Sequence, residues 1–334
     1  MIALTSLILL ATNLLISRAA QLEVPGVVEE HKDEVVRLVL LNDEHSKQQI
    51  GTGSNMTPVV FWHGMGDTAY GSINIERLAL EAKFPGMKVF SIQVGKNILE
   101  DELAGYFTNV NQQIKSACEA ILNNTFIKQH GAFNGVGFSQ GAQFLRGLVQ
   151  RCPFRQHGIR VKNLISLGGQ HQGVYGLPNC PSKLVCDYVR YLLTKGAYEQ
   201  EIQEHLVQAE YWHDPLNEEQ YRAKNIFIAD INNERNVNQS YKANLLALEN
   251  LVLVKFNDDD MVVPRESSLF GFYEPGGKDR IIPMANTKLY REDRIGIKEM
   301  NESGRLHLIE VPGRHLQYRM KWFMDNIAGV YLAN

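Results

Sequence analysis

Phe133-Asn134-Gly135-Val136-Gly137-Phe138-Ser139-Gln140-Gly141-Ala142-Gln143-Phe144-Leu145-Arg146-Gly147-Leu148-Val149 decides how this chain folds. Its first six residues form a short apolar run that reads as a buried strand, and Phe144, Leu145, Leu148 and Val149 then recur at helical spacing. Between them lies a G-x-S-x-G pentapeptide, Gly137 to Gly141. Such a pentapeptide arises by chance in roughly one chain in ten of this length, so its surroundings carry the argument. A strand before it and a helix after it are the context in which the serine sits on a tight, strained turn with its hydroxyl exposed. The helix then aims its first N–H groups and the positive end of its dipole at the site.

The same rhythm extends on both sides. Pro58-Val59-Val60-Phe61-Trp62 is a buried strand closed by the turn His63-Gly64-Met65-Gly66-Asp67, and Met87 to Val94 repeats the pattern after Pro85-Gly86. Asn109 to Leu122 reads as a helix with Val110, Ile114, Ala117, Cys118 and Ile121 on one face. Further strands are expected at 161–167, 251–256 and 306–311, and a closing helix from Leu316 to Leu332. Short apolar strands alternating with amphipathic helices imply right-handed crossovers and a mostly parallel sheet flanked by helices. From about 170 to 245 the periodicity is helical, with one stripe at Leu184, Val185, Tyr188, Val189, Leu192 and Leu193. This reads as a helical insertion over the sheet, with ordinary crossover helices as the alternative. The fold class is α/β, of the α/β-hydrolase type, with that insertion between the nucleophile and acid strands.

A serine at its free pKa is a weak nucleophile and needs a base that a carboxylate orients. In this fold the chain order is serine, acid, histidine. Beyond the acid candidates lie His307 and His315. His307 sits inside a strand between Leu306 and Leu308, whereas His315 follows that strand in a loop, so His315 is the expected base. Asp258, Asp259 and Asp260 all follow the strand ending at Phe256. The downstream Val262 and Pro264 favour Asp259, with Asp258 as runner-up. The oxyanion donors are expected to be the N–H of Gln140 and that of Met65, with Gly64 as the alternative to Met65. His63 reads as a brace for that loop, since no third ligand supports a metal site with Asp67. No metal or cofactor is implied.

Composition is that of an ordinary globular chain: 334 residues, 44% hydrophobic and 21% charged. A net charge of −3 with no Lys/Arg block argues against a nucleic-acid partner. Ile2 to Ile16 is nearly all apolar and leads into Ser17, Ala19 and Ala20. It is too short to span a bilayer and reads as a cleaved signal peptide (residues 1–20), with an anchor as the alternative. Residues 21–55 read as an N-terminal extension, with regular structure beginning at Pro58 and the hydrolase domain covering 56–334. No later segment is apolar enough to span, so no stable membrane insertion is expected.

The secretory route suits four cysteines, which admit three pairings. Cys180 and Cys186 enclose a short loop containing Pro181, which favours a bridge there and leaves Cys118 with Cys152. Sequons at Asn55, Asn123, Asn238 and Asn301 point the same way.

Longer runs narrow the reading: Trp62 to Asp67, Gly137 to Gly141 with Gln143 to Arg146, Gly168 to Gly173, Val207 to Pro215, Ala229 to Asn232, Phe270 to Tyr273 and His315 to Gln317. On these the chain closely resembles the palmitoyl-protein thioesterases, lysosomal enzymes that remove fatty acyl groups from cysteine. The resemblance implies Ser139, Asp259 and His315 as catalytic triad, Met65 and Gln140 as oxyanion donors, and the same disulfides. It also implies S-acylated proteins or peptides as substrates, and a fatty-acid groove near Trp212, Gly169 and Gln170. The chain departs from the family in having no cysteine in Asp67-Thr68-Ala69-Tyr70-Gly71. A triad alone does not separate thioesters from oxygen esters, so a secreted lipase or carboxylesterase is the alternative. A hydrolase-like binding module without activity is a second.

Overall fold

Runs of β-branched and aromatic residues bounded by glycine, proline or asparagine make the strands of one central sheet. The computed structural model describes residues 36–39, 56–176, 191, 193 and 196–333. The strands are β1 (Val36–Val39), β2 (Val59–Trp62), β3 (Val89–Val94), β4 (Ala132–Phe138), β5 (Arg160–Leu167), β6 (Asn250–Phe256) and β7 (Leu306–Val311). They lie in the order β1-β3-β2-β4-β5-β6-β7. Only β1 runs antiparallel to its neighbour. Parallel neighbours need long crossovers, here carrying α1 (Asn74–Lys83), α2 (Ile98–Phe107), α3 (Val110–Asn123) and α4 (Gln140–Arg151). This is the α/β-hydrolase architecture the sequence points to.

Because side chains alternate along a strand, the sheet builds a core on each face. Val60, Trp62, Ile92 and Leu164 join Ile114, Ala117, Phe144 and Leu148 of α3 and α4 on one face. Val59, Phe61, Val136, Ile165 and Val254 join Leu80, Phe323, Ile327 and Leu332 on the other. Burial on both faces explains why these strands read as continuous apolar runs. Five short helices between Gln200 and Leu246 lie between β5 and β6. Their residues Tyr221, Ile228 and Ile231 belong to the first core. Among the described residues no helix is long and apolar enough to cross a membrane.

Two expectations are corrected. Regular structure begins before Pro58, because Val36–Val39 pairs antiparallel with β3, Val36 opposite Val94. A four-residue run among charges carries no local signal; its pairing is supplied by a strand over fifty residues away in sequence. The closing segment is not one helix from Leu316. Leu316 has a φ of 55°, and the chain turns there before a helical turn at Met320–Phe323 and a π-helix over Met324–Leu332.

Cys118 on α3 is joined to Cys152 at the end of α4, closing a 34-residue loop. In the chain-entropy description a loop of that length stabilises by about 4 kcal/mol. Asn123, Asn238 and Asn301 are exposed. The leader, most of the extension, Asn55, Cys180, Cys186 and the stripe from Leu184 to Leu192 lie outside the described residues.

Candidate active site

β4 delivers Ser139 to a sharp turn. Ser139 has φ 52° and ψ −122°, a conformation that side chains other than glycine adopt only under strain, while its N–H still bonds to Leu167 O at 2.8 Å. The flanking glycines are sterically required. A β-carbon on Gly141 would stand 2.3 Å from the carbonyl oxygens of both Trp62 and His63, and one on Gly137 would stand 2.3 Å from Ala142 Cα. α4 therefore starts directly after Ser139, and its first amides have no intrahelical acceptor.

The loops after β6 and β7 bring the other two groups to the serine. The Ser139 hydroxyl lies 2.8 Å from His315 Nε2, and His315 Nδ1 lies 2.6 Å from Asp259 Oδ2. Nδ1–H donates to the carboxylate, which fixes that tautomer and leaves the Nε2 lone pair facing the hydroxyl. Asp259 Oδ1 accepts from the amides of Met261 and Val262 at 2.8 and 3.0 Å. Asp259 is buried, whereas Asp258 and Asp260 are exposed. His307 instead bonds Asn250 Oδ1 at 2.8 Å from within the sheet.

The turn after β2 closes on the same serine: a β-carbon on Gly64 would lie 3.1 Å from Ser139 Cβ. That turn is pinned by His63, whose Nδ1 faces Gly64 O at 2.9 Å and whose Nε2 faces Asp101 Oδ1 at 3.1 Å. Asp101 on α2 also accepts from Ala69 N and Val94 N, both at 2.7 Å. Two acceptors flanking one imidazole suit the doubly protonated ring. Burial pulls the His63 pKa down, but the Asp101 hydrogen bond and charge, the Gly64 carbonyl and the charge of Asp67 together raise it above 6.5. A folded pKa above the unfolded one adds stability that is complete below pH 6.5 and fades as pH rises through the folded value. The stability advantage of wild type over His63→Gln is therefore expected to be larger at about pH 5.5 than at about pH 8.5. Urea denaturation at both pH values measures it; an advantage independent of pH would mean that His63 is neutral in the fold.

Beside Ser139 opens a cleft lined by Met65, Gln140, Gln170, Gln208, Tyr211 and Trp212 among others. Gln170 Nε2 donates to Ser139 Oγ at 3.3 Å, and Gln143 Nε2 donates to Gln170 Oε1 at 3.1 Å. Gly169 precedes Gln170 in the same loop and packs tightly. A β-carbon there would meet Ser166 Oγ at 2.5 Å and Ala142 Cβ at 2.8 Å, so its smallness lets the loop lie on α4. His171, next in that loop, is held by Arg146, which is wholly buried. No local pattern in the sequence marks the polar set formed by Asp101, Gln143, Arg146, Gln208 and Tyr211. Each looks like an ordinary helix residue until its distant partners are known.

The Palmitoyl protein thioesterase family model matches residues 58–315, from β2 to His315. The chain is 48% identical over 281 residues to palmitoyl-protein thioesterase 1 of Caenorhabditis elegans, covering 83% of this chain and 92% of that one. It is 32% identical over 284 residues to palmitoyl-protein thioesterase 3 of Dictyostelium discoideum, with 83% and 92% covered. Human lysosomal thioesterase PPT2 is 27% identical over 251 residues, with 74% and 78% covered. With the family match running through the strands, the serine turn and the loop of His315, this chain belongs to the palmitoyl protein thioesterase family.

Proposed function

We propose that the protein hydrolyses long-chain fatty acyl thioesters, palmitoyl thioesters of cysteine in proteins or peptides, through an acyl-enzyme on Ser139. The hydrogen-bonded series Ser139–His315–Asp259 at the mouth of an apolar-walled cleft carries this reading. His315 Nε2 takes the Ser139 proton as Oγ attacks the acyl carbon. The amides of Met65 and Gln140 receive the oxyanion, helped by the dipole of α4. As the tetrahedral species collapses, the C–S bond breaks and His315 returns its proton to the sulfur. A cysteine thiol, with pKa near 8.5, is a good leaving group. Water then gives a proton to His315 and its oxygen to the acyl carbon. The fatty acid departs as the Ser139 hydroxyl re-forms. Burying the acyl chain is worth about 0.8 kcal/mol per CH₂ before ordering costs.

The lysosome, reached by the secretory route, is the proposed location. It is supported by the lysosomal names of relatives such as human PPT2 and by the exposed sequons. The substrate class is tested by turnover of a palmitoyl thioester peptide beside the matching oxygen ester. Preference for the thioester is expected; preference for the oxygen ester would move the protein to the lipase or carboxylesterase reading.

A further inference from the structure

A single carboxamide touches the side chains of both residues whose amides are proposed to hold the oxyanion. Gln208 sits in the short helix Val207–Glu210 and is 3% exposed. Its Nε2 lies 3.1 Å from Gly105 O, 3.2 Å from Met65 Sδ and 3.5 Å from Gln140 Oε1. Gln140 Nε2 donates to the same Gly105 carbonyl at 3.1 Å, and Tyr211 OH donates to Gln140 Oε1 at 3.0 Å. The segment 208–211 is thus tied to the residue after the nucleophile, to the turn after β2 and to α2.

Gln208 is held from one side. Its Nε2 carries two hydrogens and faces three acceptors, while its Oε1 is buried with no partner. Such a group is poorly fixed by its own bonds. Met65, Gln140, Gln208 and Tyr211 also line the cleft beside Ser139. A chain filling that cleft would pack against these side chains and brace Gln208, which its own bonds hold from one side only. A short acyl group would leave that brace unmade.

We propose that Gln208 is a positioning residue that couples filling of the acyl cleft to alignment of the Met65 and Gln140 amides. This inference rests on the acyl-enzyme reading above. Binding energy of the distant part of the chain is then expressed in the transition state, so chain length acts on kcat and not only on KM.

The test uses Gln208→Met, which keeps volume and removes the amide, and Gln208→Glu, which keeps the outline. Each is assayed beside wild type with acetyl and palmitoyl thioesters of one cysteine peptide. Active sites are counted with a serine-reactive fluorophosphonate, so any unfolded fraction drops out of kcat. Palmitoyl kcat is expected to fall about tenfold in both variants and acetyl kcat by a clearly smaller factor, so that the palmitoyl-to-acetyl ratio of kcat drops while palmitoyl KM changes less than kcat. Equal losses on both substrates, a rise in KM alone or no loss would each overturn the coupling. Wild type that cleaves neither thioester would instead refute the substrate reading itself. If one variant fails to fold, the other carries the test.

Discussion

Replacing Ser139 with alanine is expected to lower kcat on a palmitoyl thioester by about 10⁵-fold or more, the scale reached when a triad serine is removed. The change deletes one oxygen and nothing else. His315 keeps its bond to Asp259, the loop at Gly64 keeps its room, and α4 keeps its start. What disappears is the atom 2.8 Å from His315 Nε2. Stability should stay close to wild type, because alanine meets the same backbone penalty at φ 52°. Ser139→Gly gives a second readout. It removes the same oxygen but relieves the strained backbone, which costs on the order of 1 kcal/mol or more in a residue with a β-carbon. The glycine variant should therefore be as inactive as the alanine variant and more resistant to denaturant. Single-turnover kinetics with denaturation of all three proteins measure both effects. Substantial turnover in Ser139→Ala would remove Ser139 from the mechanism, and equal stability of the alanine and glycine variants would remove the strain argument.

The parts of this site that sequence discloses are those fixed by local pattern. Strands β2 to β6 announce themselves because burial on both faces demands largely apolar runs, whereas the edge strand β7 exposes Leu308 and Glu310 on alternate positions. The turn at Ser139 is legible because two glycines must flank it. The order serine, aspartate, histidine follows from the strand order. Position along the chain could not separate Asp258, Asp259 and Asp260; what differs among them is burial and the Met261 and Val262 amides folded over one carboxylate. α2 carries no clear periodic signal, since Ile98 to Phe107 mixes charges with apolar residues and buries Asp101 in place of a hydrophobic residue. Its role lies in pairing with His63, 38 positions earlier. Gln208 meets Gly105 across 103 positions and Gln140 across 68. Amide groups at such separations have no periodicity to betray them, so the polar frame around the serine emerges only from tertiary structure.

Arg146 shows how far that hidden frame supports the site, and Arg146→Met is expected to lower stability by about 3 kcal/mol. The guanidinium is fully buried, and burial lowers its pKa to about 9, so it stays charged at neutral and acidic pH. Its five N–H groups make five hydrogen bonds: Nε to His171 Nδ1, Nη1 to Gln150 Oε1 and Ile231 O, Nη2 to His171 O and Asn232 Oδ1. Its central carbon lies 5.2 Å from the Phe270 ring centroid. Methionine fills much of the same volume and removes the cost of burying a charge, so the outcome depends on the acceptors left behind. Two of the five keep another donor, because Gln150 Nε2 reaches Ile231 O and Asn232 Nδ2 reaches His171 O. The acceptors on His171 Nδ1, Gln150 and Asn232 lose the guanidinium, at about 1 kcal/mol or more each. His171 is the sharper consequence. Burial, with the adjacent Arg146 charge, holds its pKa well below 6.5, so the ring is neutral; Nδ1 accepts from Arg146, and Nε2–H donates to Ser166 Oγ at 2.7 Å. Without the arginine that tautomer is no longer enforced, and the loop carrying Gln170 to Ser139 loses its anchor. Activity should therefore fall at temperatures where the variant is still folded, and Arg146→Lys, a point charge without the fork, should recover only part of it. Denaturant titration with kcat measured well below the midpoint tests both halves. A variant within about 1 kcal/mol of wild type, fully active, would mean that the five bonds only offset the desolvation of the charge they hold.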